Sequence, residues 1–354
     1  MLVVGAGVLG LAVAWQLLLR GHSVRLIDPG LDSPDPARSG SWAALGVLMA
    51  DVFHRSSGRA WRLRQRSRVL WEGWLADLEA SGHPVQRRRG LLLLADGPAE
   101  LERQQRLVEQ RQRAGIPLEL WDPAELAALH PPVPHAAAGG LYAPRDGQLD
   151  PASLLTALWQ EARTRGLDTS RDAVASLERS GRDWLVRCRG GTSHTAAWLV
   201  ICAGVSSSAL LEPLGHRLPL QPVLGQALEL QLANAPEWNW PGTCVWRGFN
   251  LVPRPDRNGG ARCWLGATLE PGEQASAQSL ADLRGWAAAE LPWLAAAEVV
   301  RHWQGLRCRP AGRPAPLLEQ LEPGLLLVSG HYRNGVLLAP ASAEWACQQI
   351  GAGR

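Results

Sequence analysis

Apolar side chains open the chain as a three-residue run, Leu2 to Val4, and return in a longer stretch from about Leu9 to Arg20. A third run spans Ser23 to Ile27 and stops at Asp28. A short unbroken apolar run reads as a buried parallel strand, and a longer one as a helix covered on several sides. Gly5, Gly7 and Gly10 separate the first strand from the helix, and Gly21 with His22 turns into the second strand. Strand, glycine turn, helix, strand and acidic end together make a mononucleotide-binding βαβ unit.

The pattern then changes. Gly30 to Gly40 is rich in Pro, Asp and Ser and predicts a loop. Trp61, Leu63, Val69, Leu70, Trp74 and Leu78 recur at helical spacing and predict a helix over Gly58 to Glu79. Arg87 to Arg89 read as a solvated turn before a strand at Leu91 to Ala95. Helices are predicted at Ala99 to Ala114, at Pro151 to Arg165 with Asp150 as cap, and at Ser279 to Leu291. Short strands are predicted at Ala173 to Leu177, Trp184 to Cys188 and Trp198 to Cys202, with a short helix among Ser206 to Ser208. Pro219 to Thr268 is strand-rich, most clearly at Val223 to Leu232 and Cys263 to Thr268. Leu325 to Ser329 is a buried strand, Gly330 to Gly335 a turn, and Leu338 to Ile350 a closing helix. Internal repeats and low-complexity linkers are not evident.

The glycine spacing assigns a role to each residue. Gly5 permits the tight turn, Gly7 lets backbone approach a pyrophosphate, and Gly10 lets helix and strand pack closely. The helix start offers N–H groups and partial positive charge to phosphates. Asp28 lies where a carboxylate meets ribose hydroxyls, and its charge disfavours the 2′-phosphate of NADP. The motif alone does not separate FAD from NAD. A nicotinamide dehydrogenase would continue in regular βα units. This chain passes instead through long helices and an antiparallel insert, returning to Rossmann-like segments at Trp198 to Gly204 and Leu325 to Gly335. Distant segments around an extended cofactor favour FAD. The expected class is therefore α/β, in a two-domain α+β arrangement. Residues 1–85, 146–216 and 301–354 form a Rossmann-like FAD-binding domain, and 86–145 with 217–300 an antiparallel-sheet substrate domain.

Composition removes other chemistries. The 354 residues contain no Lys, so all 36 basic residues are Arg. That excludes Schiff-base catalysis and a Walker A loop. Net charge is +3, which does not call for nucleic acid. The six Cys follow no zinc or C-x-x-C spacing, so metal is not expected. The N-terminal stretch lacks a basic lead-in and is broken by glycines, and Leu91 to Leu94 is too short to span a bilayer. A cytoplasmic protein is expected, with a homo-oligomer left open. The 17 Trp beside two Tyr and two Phe have no physical account beyond coding bias.

Six segments carry a resemblance. The string from Gly330 to Pro340 is similar to the signature of glycine oxidases in the D-amino-acid oxidase superfamily. Trp303 to Arg307 resembles their W-x-G-L-R-P segment, and Leu251 to Arg254 with Leu265 to Thr268 their Y-x-V-P-R and G-A-T strands. Gly40 to Leu48 resembles a flavin-contacting loop, and Asp146 to Pro151 a helix start. The segments fall in order along nearly the whole chain. The resemblance implies FAD contacts at Val8, Leu9, Asp28, Pro29, Gly40, Ser41, Leu45, Gly46, Val47, Val174 and Gly204. It adds His331, Tyr332, Arg333, Asn334, Gly335, Val336 and Leu337, and it implies that Arg307 and Arg333 hold a substrate carboxylate. Three positions depart from the family. Asn250 replaces the substrate Tyr, Leu269 replaces a pocket Met, and Cys308-Arg309-Pro310 displaces the R-P pair so that Arg309 rivals Arg307.

The resemblance implies oxidation of glycine to glyoxylate, ammonia and hydrogen peroxide through an imine, supplying thiazole synthesis for thiamine. Partners would be a small amino acid and molecular oxygen. Sarcosine, a D-amino acid, or an acceptor other than oxygen are the enzymatic alternatives. A flavin-binding scaffold without turnover is the alternative outside enzymes, and the arginine pair distinguishes it.

Overall fold

Leu2–Val4 is buried at every position because parallel neighbours flank it on both sides, Arg25–Ile27 on one edge and Leu199–Ile201 on the other. In this computed structural model, residues 1–31, 39–232, 238–255 and 261–352 are described. The six-stranded sheet runs Leu317–Glu322, Leu325–Ser329, Leu199–Ile201, Leu2–Val4, Arg25–Ile27, Asp168–Ser170. Pairing is parallel except for the terminal hairpin of Leu317–Glu322 with Leu325–Ser329. From Leu2–Val4 the chain first moves to one side, and much later supplies strands on the other. That places a topological switch at the carboxyl end of Leu2–Val4, where α/β sheets bind ligands.

Helices Val8–Leu19, Gly58–Ala80, Pro151–Thr164 and Gly335–Ala352 contribute to one core with Val3, Leu26, Val200 and Leu326 of the sheet. Trp74 stands edge-on to both Trp15 and Trp71, at 4.9 and 5.5 Å between ring centres. A second core joins the sheet to a small antiparallel one built from Val174–Ser180, Asp183–Cys188 and Ser193–Ala196. There Trp184 is fully buried and donates its indole N–H to the Pro323 carbonyl at 3.1 Å.

The other large sheet is mostly antiparallel and has ten strands. Leu220–Gln231 pairs with Ala261–Gly266 on one side and with Glu298–Pro310 on the other. Its one parallel contact among the described strands joins Arg87–Leu94 to Thr243–Trp246. Helices Ala277–Glu290 and Pro292–Ala295 bury one face, with Trp246, Leu251 and Leu265 inside. Leu45, Ala227, Val252 and Trp303 form a smaller cluster elsewhere on this sheet, bringing in the loop that follows Gly40.

Several sequence expectations are corrected. Arg87 to Arg89 begin the strand Arg87–Leu94 instead of forming a turn, because Glu72 pairs with Arg87 and Arg89 at 3.0 and 2.8 Å. The closing helix begins at Gly335, three residues before its expected start, and carries Pro340 inside it. Strand Glu298–Pro310 pairs with Leu220–Gln231 and stays in the large sheet to its end. Gly140–Leu149 and Glu119–Trp121 are strands that the hydrophobic pattern did not reveal. Residues 32–38 of the expected loop lie outside the described residues, as do 233–237 and 256–260 of the strand-rich region.

Candidate active site

The glycine turn is sterically closed to other residues. Gly5 sits at φ +105°, and a Cβ there would lie 2.6 Å from the Cys202 carbonyl oxygen. A Cβ on Gly10 would stand 1.8 Å from the Gly5 oxygen. Gly7 is different, since its Cβ would meet only the Ser41 hydroxyl, at 3.0 Å. Gly7 starts the helix without a side-chain cap, and the Val8 N–H donates to the Ser41 hydroxyl at 3.0 Å. Asp28 accepts the Ala6 N–H and the Gly30 N–H, both at 2.7 Å, so it ties the turn to the second strand. That bracing role was not legible in the sequence. A glycine cradle, an uncapped helix start and a carboxylate at the second strand suit a dinucleotide. Pro29 follows Asp28 directly, and Val174 opens the small sheet, half-buried. Gly204, at φ +57°, accepts the Ser329 hydroxyl at 3.1 Å and so joins two strand ends of the large parallel sheet.

The loop after Gly40 is held by close backbone contacts. A Cβ on Gly40 would lie 2.5 Å from the Leu306 carbonyl oxygen. Gly46, at φ +76°, would place a Cβ 1.8 Å from the Leu149 oxygen, and its own carbonyl accepts the Leu149 N–H at 2.9 Å. Val47–Leu48 then pairs with Gln148 and Gly147. Leu45 is buried on the large sheet. Beyond it, Asp146 accepts the N–H groups of Ala50, Asp51 and Val52 at 2.9, 3.0 and 3.2 Å. Burial and neighbouring Asp51 push the Asp146 carboxyl up to about 7, against those hydrogen bonds.

The turn Gly330 to Gly335 is equally constrained. His331 is buried, with Nε2 2.7 Å from the Ser342 hydroxyl, and burial pushes its imidazole down to about 3. It is therefore neutral at physiological pH and ill-suited to proton transfer there. Tyr332 has φ +54°, and its N–H donates to the Cys308 carbonyl at 3.0 Å. Asn334 accepts a hydrogen bond from buried Arg64 at 3.0 Å. Gly335 starts the helix in which Val336 and Leu337 are buried, and the Leu337 carbonyl accepts the Trp71 indole N–H at 3.1 Å.

Arg307 reaches this region from the large sheet. One of its amino groups donates to the carbonyls of Leu224 and Thr268, at 3.2 and 3.1 Å. Burial first, and the nearby Arg333 charge second, push its guanidinium down to about 10. Arg333, in the turn after the last parallel strand, is exposed, and its charge is the second cause of the Arg307 shift. Two guanidiniums sharing a site favour a carboxylate, which can accept from both. Arg309 is exposed, and its guanidinium lies 5.6 Å from the centre of the Tyr332 ring. Asn250 is half-buried and donates to the Gly266 carbonyl at 3.2 Å, while Leu269 is half exposed.

Three supporting contacts escaped sequence reasoning. Gly225 is needed because a Cβ there would lie 2.2 to 2.5 Å from the Arg307 guanidinium. A glycine inside a strand was the available signal. Trp303 donates its indole N–H to the Ala43 carbonyl at 3.0 Å, and Arg254 donates to the Leu45 carbonyl at 3.4 Å. Both contacts join residues far apart in sequence, and a single chain gives no cue to them.

A family model described as FAD dependent oxidoreductase matches residues 1–349. Glycine oxidase of Geobacillus kaustophilus is 29% identical over 346 residues, covering 96% of this chain and 89% of its own length. Glycine oxidase of Pseudomonas putida is 30% identical over 356 residues, covering 97% and 92%. A bifunctional ThiO/ThiG protein of Nostoc is 29% identical over 353 residues, 96% of this chain but 51% of that protein. Among solved structures, that of the Geobacillus kaustophilus enzyme matches with TM-score 0.87 at 28% identity, covering 99% of this chain and 94% of that one. The Bacillus cereus glycine oxidase structure matches with TM-score 0.86 at 25% identity, covering 100% and 95%.

Proposed function

The chain belongs to the FAD dependent oxidoreductase family, and from that premise we propose that it oxidises glycine to iminoacetate, hydrolysed to glyoxylate and ammonia, with oxygen reduced to hydrogen peroxide. The observation that supports this reading is Arg307, held by the Leu224 and Thr268 carbonyls, on the strand whose Leu306 carbonyl closes onto Gly40 of the loop expected to hold the flavin. The names of its relatives support glycine as substrate, and the ThiO/ThiG relatives support a supply role in thiamine biosynthesis.

FAD is the cofactor, and when bound it supplies a hydride acceptor at N5 and a two-electron path to oxygen. Gly5, Gly7, Val8, Leu9, Gly10, Gly40 and Ser41 would hold the pyrophosphate, with Asp28 and Pro29 at the ribose. Val174 and Gly204 would flank the adenosine half. Leu45, Gly46, Val47 and His331 through Leu337 would surround the ring. Arg307 and Arg333 fix the substrate carboxylate in two directions, which aligns the Cα–H bond and lowers the entropic part of the barrier. Loss of a hydride from Cα and of one N–H proton gives the imine, so the amine must enter neutral. No side chain needs to abstract the Cα hydrogen as a proton. Neutral His331 and the absence of Lys are compatible with that route. Asn250, with its amide hydrogen on Gly266, leaves its carbonyl edge as an acceptor for an amine N–H.

We assign the cofactor to residues 1–85, 146–216 and 311–354, and the substrate sheet to 86–145 and 217–310, because Glu298–Pro310 pairs along its length with Leu220–Gln231. No helix among the described residues is long and apolar enough to cross a membrane. All six Cys are free thiols, which suits a reducing compartment, and the cytoplasm is the proposed location. The test is a peroxide assay on glycine, sarcosine and D-alanine, with an artificial acceptor in parallel. Glycine turnover is expected in the peroxide arm. Turnover of sarcosine or D-alanine alone would transfer the role to a different amine and implicate Asn250.

A further inference from the structure

The loop from Gly40 to Val47 closes onto the strand that carries Arg307, Glu298–Pro310. Trp303 lies on that strand, donating its indole N–H to the Ala43 carbonyl at 3.0 Å. Three residues on, the Leu306 carbonyl sits 2.5 Å from where a Cβ on Gly40 would be, so the loop closes onto bare strand backbone. Arg307 follows next and turns its guanidinium to the carbonyls of Leu224 and Thr268. Trp303 and Arg307 are four residues apart, and alternate strand residues share a face, so both project on the same side. Their spacing along the strand is about 13 Å, set by backbone rise alone.

The Trp303 ring is fixed independently of its hydrogen bond. It packs edge-on against Trp264 at 5.2 Å, and the Arg301 guanidinium covers it at 4.4 Å from the ring centre. Trp264 in turn lies under Arg254 at 3.9 Å, and Arg254 donates to the Leu45 carbonyl. The loop's acceptors at Ala43 and Leu45 are thus both drawn to the substrate sheet, while the Gly46 carbonyl accepts the Leu149 N–H.

We propose that Trp303 is a positioning residue which registers the flavin-contacting loop against the strand that carries Arg307, so that one strand sets the separation between cofactor and substrate carboxylate. This rests on the FAD reading above and deepens it. The indole N–H is the specific contact, since the ring packs whether or not the hydrogen bond forms.

The test uses Trp303→Phe, which keeps an aromatic ring against Trp264 and removes the donor, and Gly40→Ala, which keeps Trp303 and forces the loop off Leu306. Apoprotein is prepared from each and titrated with FAD. Loss of one partly buried hydrogen bond predicts a roughly 10-fold weaker FAD affinity for Trp303→Phe. Gly40→Ala is expected to weaken it at least as much. Each reconstituted variant should also show a displaced visible flavin band and slower flavin reduction by saturating substrate. Its affinity for a simple carboxylate inhibitor should change less than about 3-fold, because Arg307 keeps its carbonyl partners. If Trp303→Phe does not fold, Gly40→Ala decides alone. Wild-type FAD affinity and an unshifted spectrum in the variants would overturn the proposal. FAD affinity and the flavin spectrum need no amine, so failure of the glycine assignment would remove only the reduction readout and leave the test of the loop register intact.

Discussion

Gly225→Ala should disable substrate binding while leaving the fold and cofactor site in place. Gly225 sits inside Leu220–Gln231, buried, opposite Gly305 of the strand bearing Arg307. An added Cβ would lie 2.2, 2.3 and 2.5 Å from three atoms of the Arg307 guanidinium. Ordinary contact needs about 3.4 Å or more, so the guanidinium must retreat by roughly 1 Å. It is the far end of a flexible side chain, so the backbone need not follow. Its hydrogen bonds to the Leu224 and Thr268 carbonyls would be lost in the movement. A hydrogen bond to a charged group contributes about 1.5–3 kcal/mol, and a misplacement near 1 Å can lower rates about 100-fold. We therefore expect kcat/KM for glycine to fall by about 30- to 1000-fold, chiefly through KM. FAD affinity should stay within about 3-fold of wild type, since Gly225 contacts none of the expected flavin residues. Steady-state kinetics by peroxide release, paired with FAD titration of apoprotein, reads both. A KM within 3-fold of wild type would refute the placement of Arg307 on the substrate and favour Arg309, whose guanidinium lies by Tyr332 instead.

Other expectations follow the same geometry. Gly10→Ala should prevent folding or FAD retention, because its Cβ would stand 1.8 Å from backbone oxygen, whereas Gly7→Ala should fold and bind FAD more weakly, as judged by thermal melts and flavin content. Arg307 is pushed down to about 10, so binding of a carboxylate inhibitor that lacks an amine should weaken tenfold per pH unit above that value, seen by titrating flavin absorbance. The imidazole of His331 has a folded value of about 3 against about 6.5 unfolded, so the unfolded chain binds an extra proton between them and stability falls as pH drops below 6.5. At pH 5 that loss is about 2 kcal/mol, and buried Asp146, raised to about 7, opposes it with a gain of about 2.5 kcal/mol as it takes up a proton in the folded state across the same window, so the His331 contribution must be read from a variant. Urea melts should therefore show the stability gap between wild type and His331→Asn changing by about 2 kcal/mol between pH 7.5 and pH 5, and a pH-independent gap would contradict a buried neutral imidazole.

The parts legible in the sequence are those where a local pattern has one physical solution. Gly5, Gly7 and Gly10 between two apolar runs left little besides a βαβ turn, and Asp150 before Pro151 marked a helix start that the structure shows with Asp150 accepting the Ser153 N–H at 2.7 Å. The parts that were not legible depend on distant partners. Arg87 to Arg89 read as solvated because nothing local revealed Glu72 on a preceding helix or Leu149 and Gln148 on a following strand. Gly140–Leu149 was missed since Pro144, Arg145, Asp146 and Gly147 break the alternation expected of a strand, while Asp146 is spent on backbone N–H groups of residues 50–52. Arg307 itself was named through resemblance, but its support by Gly225 and by two carbonyls emerges only once strands 67 or more residues apart are paired.

The account turns on whether glycine delivers a hydride to flavin bound by this chain. The direct measurement is anaerobic mixing of FAD-loaded protein with glycine while the visible band near 450 nm (about the usual position for bound oxidised flavin) is followed. Saturable bleaching by glycine, abolished in Arg307→Ala and reversed by oxygen with one peroxide formed per flavin, is the predicted result. A flavin band that persists at saturating glycine, in protein that holds FAD and melts cooperatively, would contradict the account.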